Sequence, residues 1–487
     1  MKHQTLTNAN SVCTNIYGDE SPIAAIATTP GKSALTLIRC SGNGCIELVS
    51  SVFTSSKKNP LSEEEGNKII HGWIVSKENE KIDEVLISVF RTPKSYTGED
   101  SLDISCHGGY VVANAVMTAL KAAGLRDALP GEFTFRAFIN GKIDLTQSES
   151  VMELVCAKTD TGRQHALFRL SGSLEKEISK IKELLVQVLA STEIFLDYSE
   201  DEISADGDEI AGNLPNKEIA LSAIDSLKKL SASWQFERLY QEGVIVVIAG
   251  RPNAGKSSLF NTLLKEDRSI VTEIPGTTRD WIEAQISANG IPTRLIDTAG
   301  LRDSTDAVEK IGVERTHKIL EEADIILYLI DGTQGATEED KKFIEHYNSA
   351  KKYKKTILIL KSKSDLDNFI KVSENEKNMI LYHTLISFSA KTGDGLAEIF
   401  SQIETEIKAQ AGNGEFSISL GTERQKKLVD AALHSLEDAL TLSYKEEPLD
   451  IIAPLIRDAV NSLGEITGEV STADILEEMF SKFCVGK

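Results

Sequence analysis

The chain lacks any CxxC pair or zinc-ligand spacing among its six cysteines (Cys13, Cys40, Cys45, Cys106, Cys156, Cys484), so neither a redox dithiol nor a structural metal site is supported. It also lacks a long apolar run: none approaches the ~18 residues of a membrane span. The opening MKHQTLTNANS has no apolar signal core, so the expectation is a cytoplasmic protein with no membrane partner. Positive charge is in deficit, with 53 Lys and Arg against 74 Asp and Glu. A net charge of −21 argues against a general nucleic-acid-binding surface, which needs clustered cations, and leaves room for a local basic patch. No internal repeat or low-complexity tract occurs. What remains, 41% apolar and 26% charged over 487 residues, is ordinary for a soluble protein. At ~150 residues per domain the length suits about two to four domains.

The informative stretch is 244–261, VIVVIAGRPNAGKSSLFN. A β-branched run ends at Gly250, and Gly255, Lys256 and Ser257 follow after a short loop, the pattern of a strand, a phosphate loop and a helix start. Backbone N–H groups must approach phosphates closely, so glycine stands where a side chain would block them. Lys256 is placed to reach the β- and γ-phosphates and the Ser257 hydroxyl to ligate Mg²⁺. Downstream come Pro275-Gly276-Thr277-Thr278-Arg279-Asp280, Asp297-Thr298-Ala299-Gly300, Ser362-Lys363-Ser364-Asp365 and Ser389-Ala390-Lys391. Order and spacing fit a GTPase. Thr278 supplies a second Mg²⁺ ligand, Asp297 holds the metal through water, and Gly300 contacts the γ-phosphate. Asp365 accepts from the guanine N1–H and exocyclic amine, which adenine cannot match, so GTP is expected over ATP. Leu301 stands where many small GTPases carry a water-orienting glutamine, and Arg302, Asp303, Asp306 and Glu309 are the nearby polar candidates for that task.

Around this core, 18–145 alternates short strand patterns (23–27, 34–39, 68–75, 84–90, 101–106) with helical ones (44–52, 110–123), which reads as an α+β domain. From 146 the spacing of Leu174, Ile178, Ile181, Leu185, Val188 and Leu189 is helical. Strand patterns at 244–248, 293–297, 325–331 and 356–360 with helices between them imply a doubly wound, mostly parallel sheet. Two helical stretches follow, 422–443 and 449–483. The expected architecture is multidomain: α+β at 1–145, all-α at 146–243 and 411–487, and between these an inserted α/β P-loop domain at 244–410.

The nucleotide motifs occur together with Ser95-Tyr96-Thr97-Gly98-Glu99-Asp100, Cys106-His107-Gly108-Gly109, Pro130-Gly131-Glu132-Phe133-Thr134, Arg136-Ala137-Phe138-Ile139-Asn140-Gly141-Lys142 and Phe483-Cys484-Val485-Gly486-Lys487. In this combination, over nearly its whole length, the chain resembles the MnmE (TrmE) family of tRNA-modification GTPases. The resemblance implies a potassium-stimulated GTP hydrolase and homodimer. With MnmG (GidA), in a heterotetramer or larger complex, it would add an aminomethyl or carboxymethylaminomethyl group to C5 of the wobble uridine of tRNA. The carbon would come from a tetrahydrofolate derivative (5-formyl- or 5,10-methylene-tetrahydrofolate).

The family's GTP contacts fall on Asn253, Ala254, Gly255, Lys256, Ser257 and Ser258, on Thr272, Glu273, Ile274, Pro275, Gly276, Thr277 and Thr278, on Asp297, Thr298, Ala299 and Gly300, and on the Ser362 to Asp365 and Ser389 to Lys391 segments. By the same resemblance K⁺ is held by Asn253, Thr272, Ile274 and Thr277, and Glu309 orients the attacking water. Folate contacts fall on Arg39, Asp103, Lys142 and Lys487, and Cys484 is required for the modification. The chain departs from the family with Ser362 for Asn, Asp103 for Glu, and Lys32-Ser33-Ala34 for Arg-Gly-Gly. Read from residues alone, Cys484 is an ordinary thiol, His107 is structural, and Arg136 and Lys142 are equally well surface charges. The alternative to an enzyme is a regulatory switch of the Era/Der type, acting by GTP-dependent RNA or ribosome binding; the N-terminal motifs and FCVGK are what such a switch would not require.

Overall fold

The computed structural model describes residues 19–29, 31–55, 60–197, 214–266, 282–288, 290–298, 318–349, 356–371, 384–411 and 418–486. They fall into two compact units, the first comprising Met1–Met152, Phe168–Ser231 and Thr422–Lys487, the second Glu153–Leu167 and Ala232–Gly421.

The first unit holds strands β1 (Ile23–Ile26), β2 (Leu35–Ser41), β3 (Phe53–Ser55), β4 (Lys68–Val75), β5 (Lys81–Phe90), β6 (Ser101–His107) and β7 (Arg126–Asp127) in one sheet, ordered β3-β4-β5-β6-β2-β1-β7. Every pairing is antiparallel except the β1–β7 edge. Alternation decides which side chains go inward: Ile38 and Cys40 of β2, Ile104 and Cys106 of β6 and Ile87 and Val89 of β5 are buried. They form one core with the helices Cys45–Ser50 and Tyr110–Ala123 through Ile46, Val49, Val116 and Leu120. Leu35, Ile69 and Leu86 point to the other face and remain exposed.

In the helical part of this unit, Leu174, Ile178, Ile181, Leu185 and Val188 of the helix Ser173–Asp197 are buried at the expected spacing. That helix packs on Leu449–Thr467, which packs on Glu423–Tyr444. Thr422 caps the last of these, its hydroxyl accepting from Gln425 N–H at 3.2 Å. The buried Glu149 carboxylate, on the helix Leu145–Cys156, accepts from Arg424 Nε and Nη2, both at 2.8 Å, and from Gln425 Nε2 at 2.6 Å.

Two sequence expectations are corrected here. The single helical stretch at 449–483 is two helices, Leu449–Thr467 and Ala473–Ser481. Gly468 ends the first with φ 87°, and a Cβ there would stand 2.7 Å from the Phe138 ring. Arg136 is not a surface charge. It lies on a helix, Glu132–Ile139, and is buried with Glu132. Its guanidinium bonds Glu132 Oε1 at 2.9 Å, Glu99 Oε2 at 3.1 Å and the Ser21 carbonyl at 2.9 Å.

The second unit carries a sheet ordered β13-β12-β11-β8-β10-β9, of β8 (Val244–Gly250), β9 (Ile282–Ala288), β10 (Ile291–Asp297), β11 (Ile325–Asp331), β12 (Thr356–Ser362) and β13 (Leu385–Ser387). Only β9 runs antiparallel to its neighbour. Successive residues of β8 and β11 go to opposite faces, and both faces are covered. Val246, Ile248, Leu327 and Leu329 join one core with the helices Lys256–Glu266 and Leu396–Ala411. Val247, Ile326, Tyr328 and Ile330 join a second with Ile344 and Tyr347 of the helix Glu338–Ser349. A sheet buried on two sides needs apolar side chains at consecutive positions, which explains runs such as IILYLI.

Candidate functional site

In the second unit the polar groups collect where β8, β10, β11 and β12 end. β8 terminates at Gly250, and the loop to Lys256 passes through Asn253 with φ 62° and Gly255 with φ 98°. Ala254 is buried beneath it. Lys256 is nearly buried, and its ammonium donates to the carbonyls of Gly250 at 3.0 Å and Arg251 at 2.9 Å. Ser257, in the first turn of the following helix, donates to Asp297 Oδ2 at 2.8 Å. Asp297 is the last residue of β10 and is fully buried, while Thr298 returns its hydroxyl to the Ile248 carbonyl at 2.8 Å. A hydroxyl and a carboxylate oxygen brought together at a helix N-terminus form the donor set of a hard cation beside an anion.

At the end of β12, Ser362 lies under the loop: a Cβ on Gly255 would stand 3.7 Å from the Ser362 Cβ. Its hydroxyl turns back to the Ile330 carbonyl at 3.3 Å. Lys363, at φ 62°, pairs with Asp331 Oδ2 at 2.7 Å. Asp331 also accepts from Thr333 N–H and Oγ1. Burial works against its charge, but the Lys363 and Thr333 bonds prevail and hold its carboxyl below the ordinary range. Asp365 Oδ1 accepts from Ser389 Oγ at 2.7 Å, which lowers its pKa, and Ser389 in turn accepts from the N–H groups of Lys391 and Thr392 at 3.2 Å. The Asp365 carboxylate is therefore held in place by the Ser-Ala-Lys loop. Asp331 joins this cluster without having been expected from the sequence; the available signal is a strand-end aspartate followed by Gly332.

In the first unit, β2–β6 register sets Arg39 opposite Asp103, and Arg39 Nε meets Asp103 Oδ1 at 3.2 Å. The guanidinium also lies 5.6 Å from the Tyr96 ring centroid and 5.9 Å from that of Phe133. Neither aromatic was singled out from sequence, although both sit in the quoted motifs. Tyr96 OH and Thr134 Oγ1 are 2.9 Å apart, fixing the ring against the Glu132–Ile139 helix. Lys142 is exposed and donates to the Pro93 carbonyl at 2.8 Å. Cys484 is exposed, and its carbonyl accepts from Gly131 N–H at 3.3 Å, which docks the C-terminal segment beside Pro130-Gly131-Glu132. Cys40, Cys45 and Cys106 are buried; burial pushes the Cys106 thiol up to about 11.

The MnmE helical domain family matches residues 145–484, and the family described as GTP-binding protein TrmE N-terminus matches residues 22–142. The tRNA modification GTPase MnmE of Treponema denticola is 43% identical over 479 residues, covering 97% of this chain and 99% of that protein. Those of Alkaliphilus oremlandii (38%, covering 97% of this chain and 100% of that protein) and Carboxydothermus hydrogenoformans (40%, 96% and 100%) align as fully. The chain belongs to the MnmE family of tRNA modification GTPases. Within that family frame, Thr272, Glu273, Ile274, Pro275, Gly276, Thr277, Thr278, Ala299, Gly300, Glu309 and Lys487 lie outside the described residues. Among the described residues no helix is long and apolar enough to cross a membrane.

Proposed function

We propose that the chain is a cytoplasmic, potassium-stimulated GTPase acting as a homodimer. With MnmG (GidA), its hydrolysis cycle is coupled to folate-dependent addition of an aminomethyl or carboxymethylaminomethyl group to the wobble uridine C5 of tRNA. The observation that carries the hydrolase reading is the Ser257–Asp297 contact at 2.8 Å beside the Lys256 loop. In this reading Ser257, Thr278 and Asp297 would hold Mg²⁺, which would supply charge neutralisation at the β- and γ-phosphates. Asn253, at the crest of the loop, joins Thr272, Ile274 and Thr277 in holding K⁺, and Glu309 orients the attacking water in place of a glutamine. The bond from Ser389 to Asp365 supports guanine as the base.

The domain reading assigns 1–145 to folate binding and dimerisation and 146–243 with 411–487 to one helical domain, within which the G domain, 244–410, is inserted. Arg39, flanked by Tyr96 and Phe133, supports an anionic ligand with a flat ring system in the first unit. Asp103, Lys142 and Lys487 complete the proposed folate contacts, and the exposed Cys484 serves the modification step.

The test is reconstitution with MnmG, tRNA, a methylene-tetrahydrofolate and GTP. Glu309→Ala is expected to keep GTP affinity and lose hydrolysis, and Cys484→Ser to keep hydrolysis and lose modification. Full modification by Cys484→Ser would refute the role of the thiol, and unchanged turnover by Glu309→Ala that of the glutamate.

A further inference from the structure

One buried carboxylate in the second unit belongs to none of the motifs above. Asp340, in the first turn of the helix Glu338–Ser349, is fully buried, yet four groups address it. Thr337 donates to Oδ2 through its N–H and its hydroxyl, each at 2.8 Å, and Tyr328 OH donates to Oδ1 at 2.8 Å. The fourth is Arg251, whose Nε stands 3.3 Å from Oδ1. The Thr337 bonds cap the helix. Tyr328 lies on β11 directly beside Ala249 of β8, so its phenol ties that cap to the central strands.

Arg251 is the first residue of the phosphate loop after Gly250. The latter turns at φ 141°, where a Cβ would come 2.5 Å from the Leu329 carbonyl. The Arg251 main-chain carbonyl is also one of the two that accept from Lys256. One residue therefore joins the loop's lysine, through its backbone, to a buried anion on the other face of the sheet, through its side chain. A buried carboxylate would be costly without a cation, and among the described residues Arg251 is the cation paired with it.

We propose that Asp340 is a positioning residue for nucleotide binding: by holding the Arg251 side chain it fixes the entry of the phosphate loop in its phosphate-binding shape before nucleotide arrives. This rests on the GTPase reading of the loop. Pre-forming the loop favours ground state and transition state alike, so losing the tether raises KM and leaves kcat nearly unchanged.

The experiment measures fluorescent GDP binding and steady-state GTP hydrolysis for the full chain and for Arg251→Ala, Arg251→Lys, Asp340→Asn and the Arg251→Ala/Asp340→Asn double variant. Arg251 is partly exposed, so its variants are expected to fold. Arg251→Ala and Asp340→Asn should each weaken GDP binding and raise KM on the order of tenfold, with kcat within about twofold. Arg251→Lys should recover most of the loss, and the double variant should be no worse than the weaker single one. Wild-type KM in Arg251→Ala, or losses that multiply in the double variant, would overturn the tether. Absence of guanine-nucleotide binding by the unaltered chain would instead overturn the nucleotide reading.

Discussion

The two sheets place their functional side chains by different rules. In the antiparallel sheet of the first unit, one face is packed by helices and the other is left partly open. Arg39 and Asp103 stand in mid-strand on the open face, set opposite each other by register. In the mostly parallel sheet of the second unit the central strands β8 and β11 are filled on both faces, so their interiors hold no polar group open to a ligand. There the residues of the candidate site stand at the strand ends: Gly250 on β8, Asp297 on β10, Asp331 on β11 and Ser362 on β12. In the proposed function the open face would meet its ligand through a cross-strand pair, and the filled central strands would meet theirs through the loops beyond their ends.

If strand ends carry the hydrolytic chemistry, Asp297→Asn should reduce GTP turnover about 10³-fold, the scale of losing one well-placed electrostatic group. Folate binding by the first unit should be untouched. Equal turnover in a single-turnover assay would break the comparison at its strongest point.

A second contrast concerns the burial of charge. Glu132 is fully buried and takes Arg126 Nη2 at 2.7 Å and Arg136 Nη2 at 2.9 Å. Arg136→Ala should cost about 3–5 kcal/mol of first-unit stability, because it removes one cation from a buried anion. Two-step denaturant unfolding should show the loss in one transition only. Burial raises the Glu132 pKa, but the Arg126 bond, the Leu129 N–H and Arg136 outweigh it and hold the carboxyl below its ordinary 4.5. A depressed folded-state pKa stabilises above the unfolded value. That contribution is therefore complete above about pH 5 and is lost as pH falls through 4.5 towards the lower folded value. Glu132→Gln should flatten this acid dependence, which melting temperatures across pH 3 to 6 would register.

The Arg39–Asp103 pair is half-exposed, so Arg39→Ala should change stability by less than about 1 kcal/mol. Folate affinity by calorimetry should nevertheless fall roughly tenfold, for want of a cation facing the ligand's carboxylates. The smallest effect is expected at Ser362. Its hydroxyl donates to the Ile330 carbonyl, whereas Ser362→Asn adds an amide long enough to bond the phosphate loop beside Gly255. One added hydrogen bond of about 1 kcal/mol should tighten GDP binding about fivefold.

Legibility from sequence followed the same division. Buried parallel strands were visible as apolar runs, so the expected 325–331 coincides with Ile325–Asp331. β9 was missed because IEAQISA alternates weakly at a sheet edge, and β13 because it is only 3 residues long. Loop motifs such as Ser257 with Asp297 could be paired by chemistry before any fold was known. The surroundings of Arg39 could not. Its pairing with Asp103 depends on register across 64 positions, and Tyr96 and Phe133 arrive from two further segments. Glu132 and Arg136 were readable as an i,i+4 pair, but their burial was not, because Arg126, Glu99 and the Ser21 carbonyl come from elsewhere.

The most direct test of the account is GTP hydrolysis by the purified chain in potassium and in sodium buffers of equal ionic strength. A large stimulation specific to potassium, abolished in Asn253→Ala, is the predicted result. Equal slow rates in the two salts would contradict the proposed cation-assisted mechanism and favour a GTPase that acts only as a binding switch.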